Sequence, residues 1–260
     1  MKIAELKKLL DATEAECLPE VIAQFVSEES AGAKQLLLRA EKRYATYEKE
    51  CKRTDAMQIY ERKYSEYSAI CGIDEVGRGP LAGPVVAAAV ILPRPCRILY
   101  LNDSKQLSEA KREELYGRIM EQAVAVGIGI VSHTRIDEIN ILQATYEAMR
   151  EAVGKLSVVP DLLLNDAVTI PGLSMKQVPI VKGDAKSSSI AAASIVAKVT
   201  RDRMMEELDK KYPGYGFASN KGYGSKEHIQ AIQTIGPSDI HRNSFIQKFV
   251  QKGVYESPDH

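Results

Sequence analysis

The stretch that decides the fold is Cys71-Gly72-Ile73-Asp74-Glu75-Val76-Gly77-Arg78-Gly79-Pro80-Leu81-Ala82-Gly83-Pro84. It begins as a short apolar strand, places the adjacent carboxylates Asp74 and Glu75 at the strand end, and then breaks into a glycine-rich turn. Two acids at the end of a buried strand need compensation, because an unpaired buried carboxylate either shifts its pKa or binds a cation. A divalent metal ion is the usual compensation for clustered acids.

Two phosphate-binding motifs are excluded for this turn. A P-loop requires Lys-Ser or Lys-Thr directly after its second glycine, whereas Arg78-Gly79 follows Gly77. A dinucleotide-binding turn requires glycine at the sixth position of G-x-G-x-x-G, and the count from Gly77 gives Ala82 there. An isolated Asp-Glu pair is more often a solvated pair at a β-turn, so further acids are needed to indicate a metal site.

Length and composition predict a folded protein of one large domain, or of one domain plus an extension. The chain has 260 residues, of which 45% are hydrophobic and 27% charged, and its formal net charge is zero. Residues 1–8 mix charges with apolar side chains, and no apolar run approaches about 18 residues, so we expect neither a signal peptide nor a membrane span. The scattered cysteines indicate reduced thiols, and we expect a cytoplasmic monomer.

Residues 1–70 are predicted to form an all-helical N-terminal extension. Apolar residues near the start have helical spacing, Pro19 is expected to open a second helix, and a third is predicted over 31–67 with a possible break at Thr54-Asp55. Its tyrosines, interleaved with Lys and Arg, could bind a nucleic-acid strand. The alternative is an amphipathic helix whose aromatic edge packs on the next domain.

From residue 68 onward the pattern alternates between strands and helices, which predicts an α/β domain over residues 71–260. The predicted strands are 69–74, 85–92, 123–133, 162–166 and 178–181, and the predicted helices are 108–122, 136–156 and 187–212. Ser108 is expected to cap the first of these helices. Thr134 and Asp137 are expected to form a capping box at the second.

Three strand-like segments end in carboxylates, namely Asp74-Glu75, Asp166 and Asp184. In a sheet that mixes parallel and antiparallel strands, such ends can converge on one edge. The resulting oxygen-rich pocket suits Mg²⁺ or Mn²⁺. Two such ions about 3.5–4 Å apart can activate a water molecule and stabilise the leaving oxygen in phosphodiester cleavage.

Several motifs, in this order, resemble those of type 2 ribonuclease H, the bacterial ribonuclease HII family. They are the 72–85 stretch, Asp103-Ser104-Lys105-Gln106-Leu107, the Asn165-Asp166 strand end, residues 182–186 with 189–198, Lys221-Gly222-Tyr223-Gly224, and His241-Arg242-Asn243-Ser244-Phe245. The resemblance covers about residues 70–250 and leaves the first 70 residues outside the common core. The related ribonuclease HIII type usually has Glu where this chain has Asp184, which favours type HII.

The resemblance implies a ribonuclease H-like fold, with a central mixed β-sheet flanked by helices. It implies a metal-dependent endoribonuclease that hydrolyses the RNA strand of RNA–DNA hybrids and nicks DNA 5′ to embedded ribonucleotides, leaving 3′-hydroxyl and 5′-phosphate ends. The implied catalytic and metal-binding set for Mg²⁺ or Mn²⁺ is Asp74, Glu75, Asp166 and Asp184. Asp74 is expected to be shared between two metals.

The same resemblance implies a set of substrate-binding residues. The backbone of the glycine turn and the ring of Tyr223 are expected to recognise the 2′-hydroxyl group and the junction between a ribonucleotide and the DNA that follows. The implied residues, with three lysines as phosphate contacts, are Gly77, Arg78, Gly79, Tyr223, Lys105, Lys186 and Lys198. The alternatives are a nuclease of the same fold with another substrate, and a non-catalytic module that binds hybrids.

Overall fold

A computed structural model describes residues 2–250 of the chain. The contact pattern divides the chain between Ala56 and Met57 into two compact units. This division comes earlier than the predicted boundary at residue 70. Within residues 2–250, no helix is long and apolar enough to cross a membrane.

The first unit is helical, as the sequence predicts. It contains α1 (Ile3–Ala12), α2 (Leu18–Ala23) and α3 (Ala31–Ala56). Their inward faces form a small core of Leu6, Leu10, Leu18, Ala33, Leu37 and Ala40. Arg43 donates a hydrogen bond of 2.9 Å to the carbonyl oxygen of Leu10, which joins α3 to α1.

The predicted helix over 31–67 is interrupted, because α3 ends at Ala56 and α4 spans Ile59–Lys63. Between them, the side chain of Gln58 exchanges two hydrogen bonds with the backbone of Cys96, at 3.0 and 3.1 Å. These bonds lie within the second unit and join its first residues to the segment that follows β2.

The second unit continues with strands β1 to β5 and helices α5 to α10. Their bounds are β1 (Ile70–Val76), β2 (Val85–Ile91), α5 (Glu109–Gln122), β3 (Ala125–Val131), α6 (His133–Gly154), β4 (Leu162–Asp166), β5 (Lys176–Ile180), α7 (Ser188–Lys211), α8 (Phe217–Asn220), α9 (Lys226–Ile235) and α10 (Asn243–Ile246). The backbone of Asn140 interrupts α6 with a φ of 69°. Short 3-10 turns at Ser104–Gln106 and Gly183–Ala185 precede α5 and α7.

The five strands form one sheet in the order β3-β2-β1-β4-β5. The pairs β3–β2 and β2–β1 are antiparallel, whereas the pairs β1–β4 and β4–β5 are parallel. The predicted mixed sheet flanked by helices is therefore confirmed.

The sheet is covered on both faces. Alternate residues of a strand point to opposite faces of the sheet. Strand β2 therefore contributes side chains to a hydrophobic core on each face. Val86, Ala88 and Val90 pack in the cluster with α5 and α7, whereas Val85 and Ala87 pack in the cluster with α6. Residues on both faces of β2 are fully buried, which explains the unbroken apolar run in its sequence.

The contact between β1 and α7 is unusually close because of Gly72. A Cβ atom at Gly72 would lie 2.1 Å from the carbonyl carbon of Ser189 and 2.4 Å from the nitrogen of Ile190. The small residues at the start of α7 and the glycine in β1 thus let two backbones meet directly. This contact lies two residues before Asp74.

One helix cap differs from the sequence prediction. Ser108 caps α5 as expected, by accepting a hydrogen bond from the backbone N–H of Lys111. The predicted Thr134–Asp137 capping box is wrong, because the side chain of Ser132 caps α6 instead. Asp137 accepts hydrogen bonds from the backbone N–H groups at the start of α10, a tertiary role that local sequence does not reveal.

Candidate active site

The sheet topology brings the four predicted acids to one region. Asp74 and Glu75 lie near the carboxyl end of β1, and Asp166 is the last residue of β4. Asp184 lies in the 3-10 turn that follows β5. Because these three strands are parallel neighbours, their carboxyl ends share one edge of the sheet.

Hydrogen bonds hold two of these acids in place. The buried Asp74 accepts a hydrogen bond of 2.8 Å from the N–H of Glu75 and another from the side chain of Ser194 on α7. Asp166 accepts one of 2.8 Å from the N–H of Gly183, which ties the end of β4 to the turn that carries Asp184. The acids are thus positioned by β1, β4 and α7 together.

The acids also interact electrostatically. Burial, followed by repulsion from Glu75 and Asp166, raises the pKa of Asp74 well above its ordinary value. Burial raises the pKa of Glu75 although Arg78 opposes the shift, and burial together with Asp103 and Asp166 raises the pKa of Asp184. Such carboxylates hold negative charge at a cost that a cation would relieve.

Lys105 faces this cluster from the loop before α5. Burial disfavours its charge, but Asp103, Asp74 and Asp184 together leave its pKa above the ordinary value for lysine. Lys105 is therefore a charged neighbour of the acids. Asp103, which the sequence analysis did not assign to the site, contributes to the same electrostatic cluster.

The other two predicted lysines have partners within the chain. Lys186 is exposed and donates a hydrogen bond of 2.8 Å to the carbonyl oxygen of Val181. Lys198 is half-buried and forms an ion pair with Asp202, with both carboxylate oxygens 2.6 Å from its nitrogen. Burial lowers the pKa of Lys198 despite this partner.

The glycine turn lies beside the acids and beside Tyr223. Gly77 has a φ of 93°, in the left-handed region that favours glycine, and the guanidinium of Arg78 is 3.4 Å from the carboxylate of Glu75. A Cβ at Gly79 would lie 3.6 Å from the ring of Tyr223, which is 43% exposed. Of the predicted substrate-binding residues in this turn, Arg78 therefore contacts an acid and Gly79 lies beside the tyrosine ring, whereas Gly77 is buried.

The carbonyl oxygen of Tyr223 is held by a buried histidine pair. It accepts a hydrogen bond of 2.8 Å from Nδ1 of His228, whose Nε2 is 3.0 Å from Nε2 of His241. The backbone N–H of Ser238 donates to Nδ1 of His241 at 2.9 Å. Burial lowers the pKa of both rings, that of His241 to about 4, so at neutral pH both are uncharged and Nε2 of His241 donates to His228.

The comparisons with known proteins identify the family. The chain matches the family model Ribonuclease HII over residues 71–248 and the model Ribonuclease HII N-terminal domain over residues 2–65. The chain belongs to the ribonuclease HII family. Members of this family are endoribonucleases of the ribonuclease H type, and this protein is such an enzyme. The ribonuclease H family acts on RNA–DNA hybrids.

Curated relatives match this ribonuclease HII over nearly their whole length. The ribonuclease HII of Lachnoclostridium phytofermentans is 62% identical over 247 residues, which cover 95% of this chain and 97% of the relative. That of Acetivibrio thermocellus is 50% identical over 252 residues, with 96% and 98% covered. The similarity therefore includes the helical N-terminal unit.

Two solved archaeal structures have the same fold. The ribonuclease H2 of Pyrococcus horikoshii is 28% identical, with a TM-score of 0.59, and the match covers 70% of this chain and 97% of that one. The ribonuclease HII of Archaeoglobus fulgidus, solved in complex with PCNA, is 27% identical, with a TM-score of 0.60 and coverage of 71% and 98%. These archaeal chains match almost completely while leaving more than a quarter of this chain uncovered.

Two buried arginines that the sequence analysis missed support the glycine turn of this ribonuclease HII. Arg201 on α7 and Arg242 before α10 are both 0% exposed. Arg201 donates to the carbonyl oxygens of Ala82, Pro84 and Lys221. Arg242 lies in the His241–Phe245 motif, which was the available signal, but its burial depends on tertiary contacts that no local pattern indicates.

Proposed function

We propose that this ribonuclease HII hydrolyses the RNA strand of RNA–DNA hybrids and also nicks duplex DNA 5′ to a single embedded ribonucleotide. The catalytic set would be Asp74, Glu75, Asp166 and Asp184, holding Mg²⁺ or Mn²⁺. The observation that carries the proposal is the placement of these four carboxylates at the carboxyl ends of the parallel neighbouring strands β1, β4 and β5. The activity would remove misincorporated ribonucleotides and RNA primers.

The chemistry of the donor set fits a divalent cation. In the part of the chain that the structure describes, no three His, Cys, Asp or Glu side chains are placed to hold one ion. Mg²⁺ is usually bound by only one or two carboxylates, with water and substrate phosphate as its other ligands, so three protein ligands are not required. When bound, the metal would supply positive charge at the scissile phosphate and a more acidic water, leading to 3′-hydroxyl and 5′-phosphate products.

The protein groups around the acids would orient the substrate. Lys105 faces Asp74 and Asp184, and Arg78 faces Glu75, so both cations lie where a phosphate would approach the carboxylates. Lys186 and Lys198 would add phosphate contacts farther along the strand, although Lys198 would first have to leave Asp202.

Recognition of the ribonucleotide would fall to the glycine turn and Tyr223. The 2′-hydroxyl group distinguishes RNA from DNA, and exposed backbone N–H groups can approach it closely where side chains are absent. The exposed ring beside Gly79 would stack on the sugar at the junction where RNA changes to DNA.

The test is cleavage of two end-labelled substrates in Mg²⁺, a continuous hybrid and a DNA duplex with one ribonucleotide. Asp74→Asn and Asp184→Asn should each lower the rate by at least about 1,000-fold on both, because bound metal contributes several kcal/mol to such reactions. Asp11→Asn, at an exposed position on α1, is the matched control and should cleave at the wild-type rate. Wild-type turnover by either site variant would refute the acid set.

A further inference from the structure

Arg242 holds the peptide units that follow Gly77 and Arg78. Its guanidinium donates to the carbonyl oxygen of Gly77 at 2.6 Å and to that of Arg78 at 3.1 Å. It also donates to the carbonyl oxygens of Gly83 and Pro84, at the far end of the same turn. The guanidinium group thus donates hydrogen bonds to carbonyl groups at both ends of the turn.

This arrangement determines where two N–H groups point. In a trans peptide, the C=O and N–H bonds point in opposite directions, and within the described residues the only cis peptide bond is elsewhere, at Arg94-Pro95. The N–H groups of Arg78 and Gly79 share their peptide units with the two carbonyls held by Arg242. Both N–H groups therefore point away from Arg242.

These two N–H groups lie at exposed residues and are free to bind a ligand. Arg78 and Gly79 are exposed, whereas their neighbours Gly77 and Pro80 are buried. Over residues 2–250, neither N–H group has a hydrogen-bond partner within the protein. Tyr223 lies beside Gly79, and Glu75 lies beside Arg78.

The charge of Arg242 strengthens these donors. Within the described chain, no carboxylate is in ion-pair contact with the Arg242 guanidinium. Its positive charge therefore interacts mainly with the carbonyl oxygens to which it donates hydrogen bonds. A cation at the oxygen end of a peptide polarises the whole unit and makes the N–H end a better donor in a site of low dielectric constant. Burial lowers the pKa of Arg242 to about 9, so the group remains charged at neutral pH.

We propose that Arg242 is a positioning residue for substrate specificity, which aims the N–H groups of Arg78 and Gly79 at one acceptor oxygen of the nucleic-acid backbone. That oxygen belongs either to a ribose 2′-hydroxyl group or to a phosphate, and both accept hydrogen bonds. This inference rests on the proposed function, because it assigns the orientation of the turn that reads the ribonucleotide.

Arg201 provides a matched comparison. It is equally buried and also donates to carbonyls of the turn, but those carbonyls belong to Ala82 and Pro84 rather than to Gly77 and Arg78. A general loss of packing would therefore affect Arg201→Lys and Arg242→Lys alike. Arg242→Lys should disturb the two exposed N–H groups more, because Arg201 packs against Gly77 but donates to neither of the two carbonyls that share their peptide units.

The experiment measures dissociation constants by fluorescence anisotropy in EDTA, for two DNA duplexes that differ by a single ribonucleotide. Arg242→Lys should weaken binding about tenfold more than Arg201→Lys, since two hydrogen bonds lose their alignment. A loss confined to the ribonucleotide duplex identifies the hydroxyl oxygen as the acceptor, and an equal loss on both duplexes identifies a phosphate. If the two variants bind both duplexes equally well, the proposal is overturned.

A second pair of variants is independent of the buried arginine. Gly79→Pro removes one of the two N–H groups, whereas Gly79→Ala keeps it, and a Cβ there meets only the ring of Tyr223 at 3.6 Å. Gly79→Pro should bind several-fold more weakly than Gly79→Ala, and equal affinities would count against the proposal even if Arg242→Lys failed to fold. The binding measurements on the Arg242 and Gly79 variants require no cleavage. Loss of cleavage by Asp74→Asn therefore tests the catalytic acids separately.

Discussion

Replacing Gly72 by alanine would insert a methyl group between β1 and α7. The added Cβ would lie 2.1 Å from the carbonyl carbon of Ser189, 2.3 Å from its oxygen and 2.4 Å from the nitrogen of Ile190. All three neighbours are backbone atoms, so no side-chain rotation relieves the overlap. Strand and helix would have to separate by about 1.3 Å to reach ordinary contact, in an interior that is otherwise close-packed.

The expected cost is large in both stability and activity. Overpacking of a core typically costs about 1–3 kcal/mol, and a clash between two backbones belongs at or above the upper end. For a unit of this size, about 3 kcal/mol lowers the melting temperature by roughly 6–12 °C. Because Asp74 follows two residues later on β1 and its partner Ser194 lies on α7, cleavage should fall about 100-fold, the usual cost of a misplacement near 1 Å.

The assays are urea denaturation followed by circular dichroism, and cleavage of a duplex with one ribonucleotide. Gly117→Ala is the control, since it makes the same change on an exposed face of α5, where nothing lies within 4 Å of the added Cβ. That variant should gain about 0.5–1 kcal/mol, because glycine is unfavourable inside a helix. A Gly72→Ala enzyme with the wild-type urea midpoint and rate would refute the close-contact reasoning.

Three further predictions concern the acids, the tyrosine and the N-terminal unit. Burial raises the pKa of Asp74, Glu75 and Asp184. The native state therefore keeps protons on these groups that the unfolded chain releases above about pH 4. As pH rises, these groups lower the free energy of unfolding. The stability advantage of Asp74→Asn over metal-free wild type in urea melts should therefore grow from pH 4 to 7, and a constant difference would contradict the shift. Tyr223→Ala should reduce cleavage at a single ribonucleotide by about tenfold more than cleavage of a continuous hybrid, the energy of one stacked ring; equal losses would indicate a general structural role. Removing residues 1–56 should raise KM at low salt more than it lowers kcat, with the difference shrinking as salt is added, whereas an unchanged KM with a much lower melting temperature would show a role in stability alone.

The structure also shows why a deletion should stop at residue 56 and not at residue 70. Glu61 on α4 is buried and accepts hydrogen bonds from the hydroxyl of Ser187 at 2.6 Å and from the N–H of Ser189 at 3.0 Å. Gln58 bonds to the backbone of Cys96. Removing residues 57–70 would leave these buried groups without their partners, and a truncation at residue 70 should be less stable than one at residue 56.

The sequence predicted most of the secondary structure because the sheet is covered on both faces. Strands such as β2 and β4 are continuous apolar runs, and the start of α7 is a run of small residues, so local pattern was enough to locate them. The order of the strands was not predictable in this way. It depends on which strands pair, and pairing joins residues far apart in the chain.

The parts of the site that sequence reasoning missed are those where charge is buried. An arginine such as Arg201, on a helix rich in Lys, Arg and Asp, has the local pattern of a solvated residue, yet its guanidinium is enclosed by carbonyls from a turn more than 100 residues away. Asp103 lies in the loop just before a 3-10 turn, and its interaction with Asp184 depends on how that loop folds. Asp137 likewise has the local pattern of a helix cap but binds α10.

The position of β4 next to β1 has a consequence for the newly made chain. During synthesis, β1 can pair with β2 as soon as both have left the ribosome, because the two are antiparallel neighbours joined by the glycine turn. The other edge of β1 can pair only after β4 has been made, and Asp184 follows β5 in the chain. During synthesis domains generally fold as units, with N-terminal domains first, so the second unit folds only when its later strands are also available. A growing chain therefore carries Asp74 and Glu75 well before it has Asp166 and Asp184, so the full acid set is present only when most of the protein has been made.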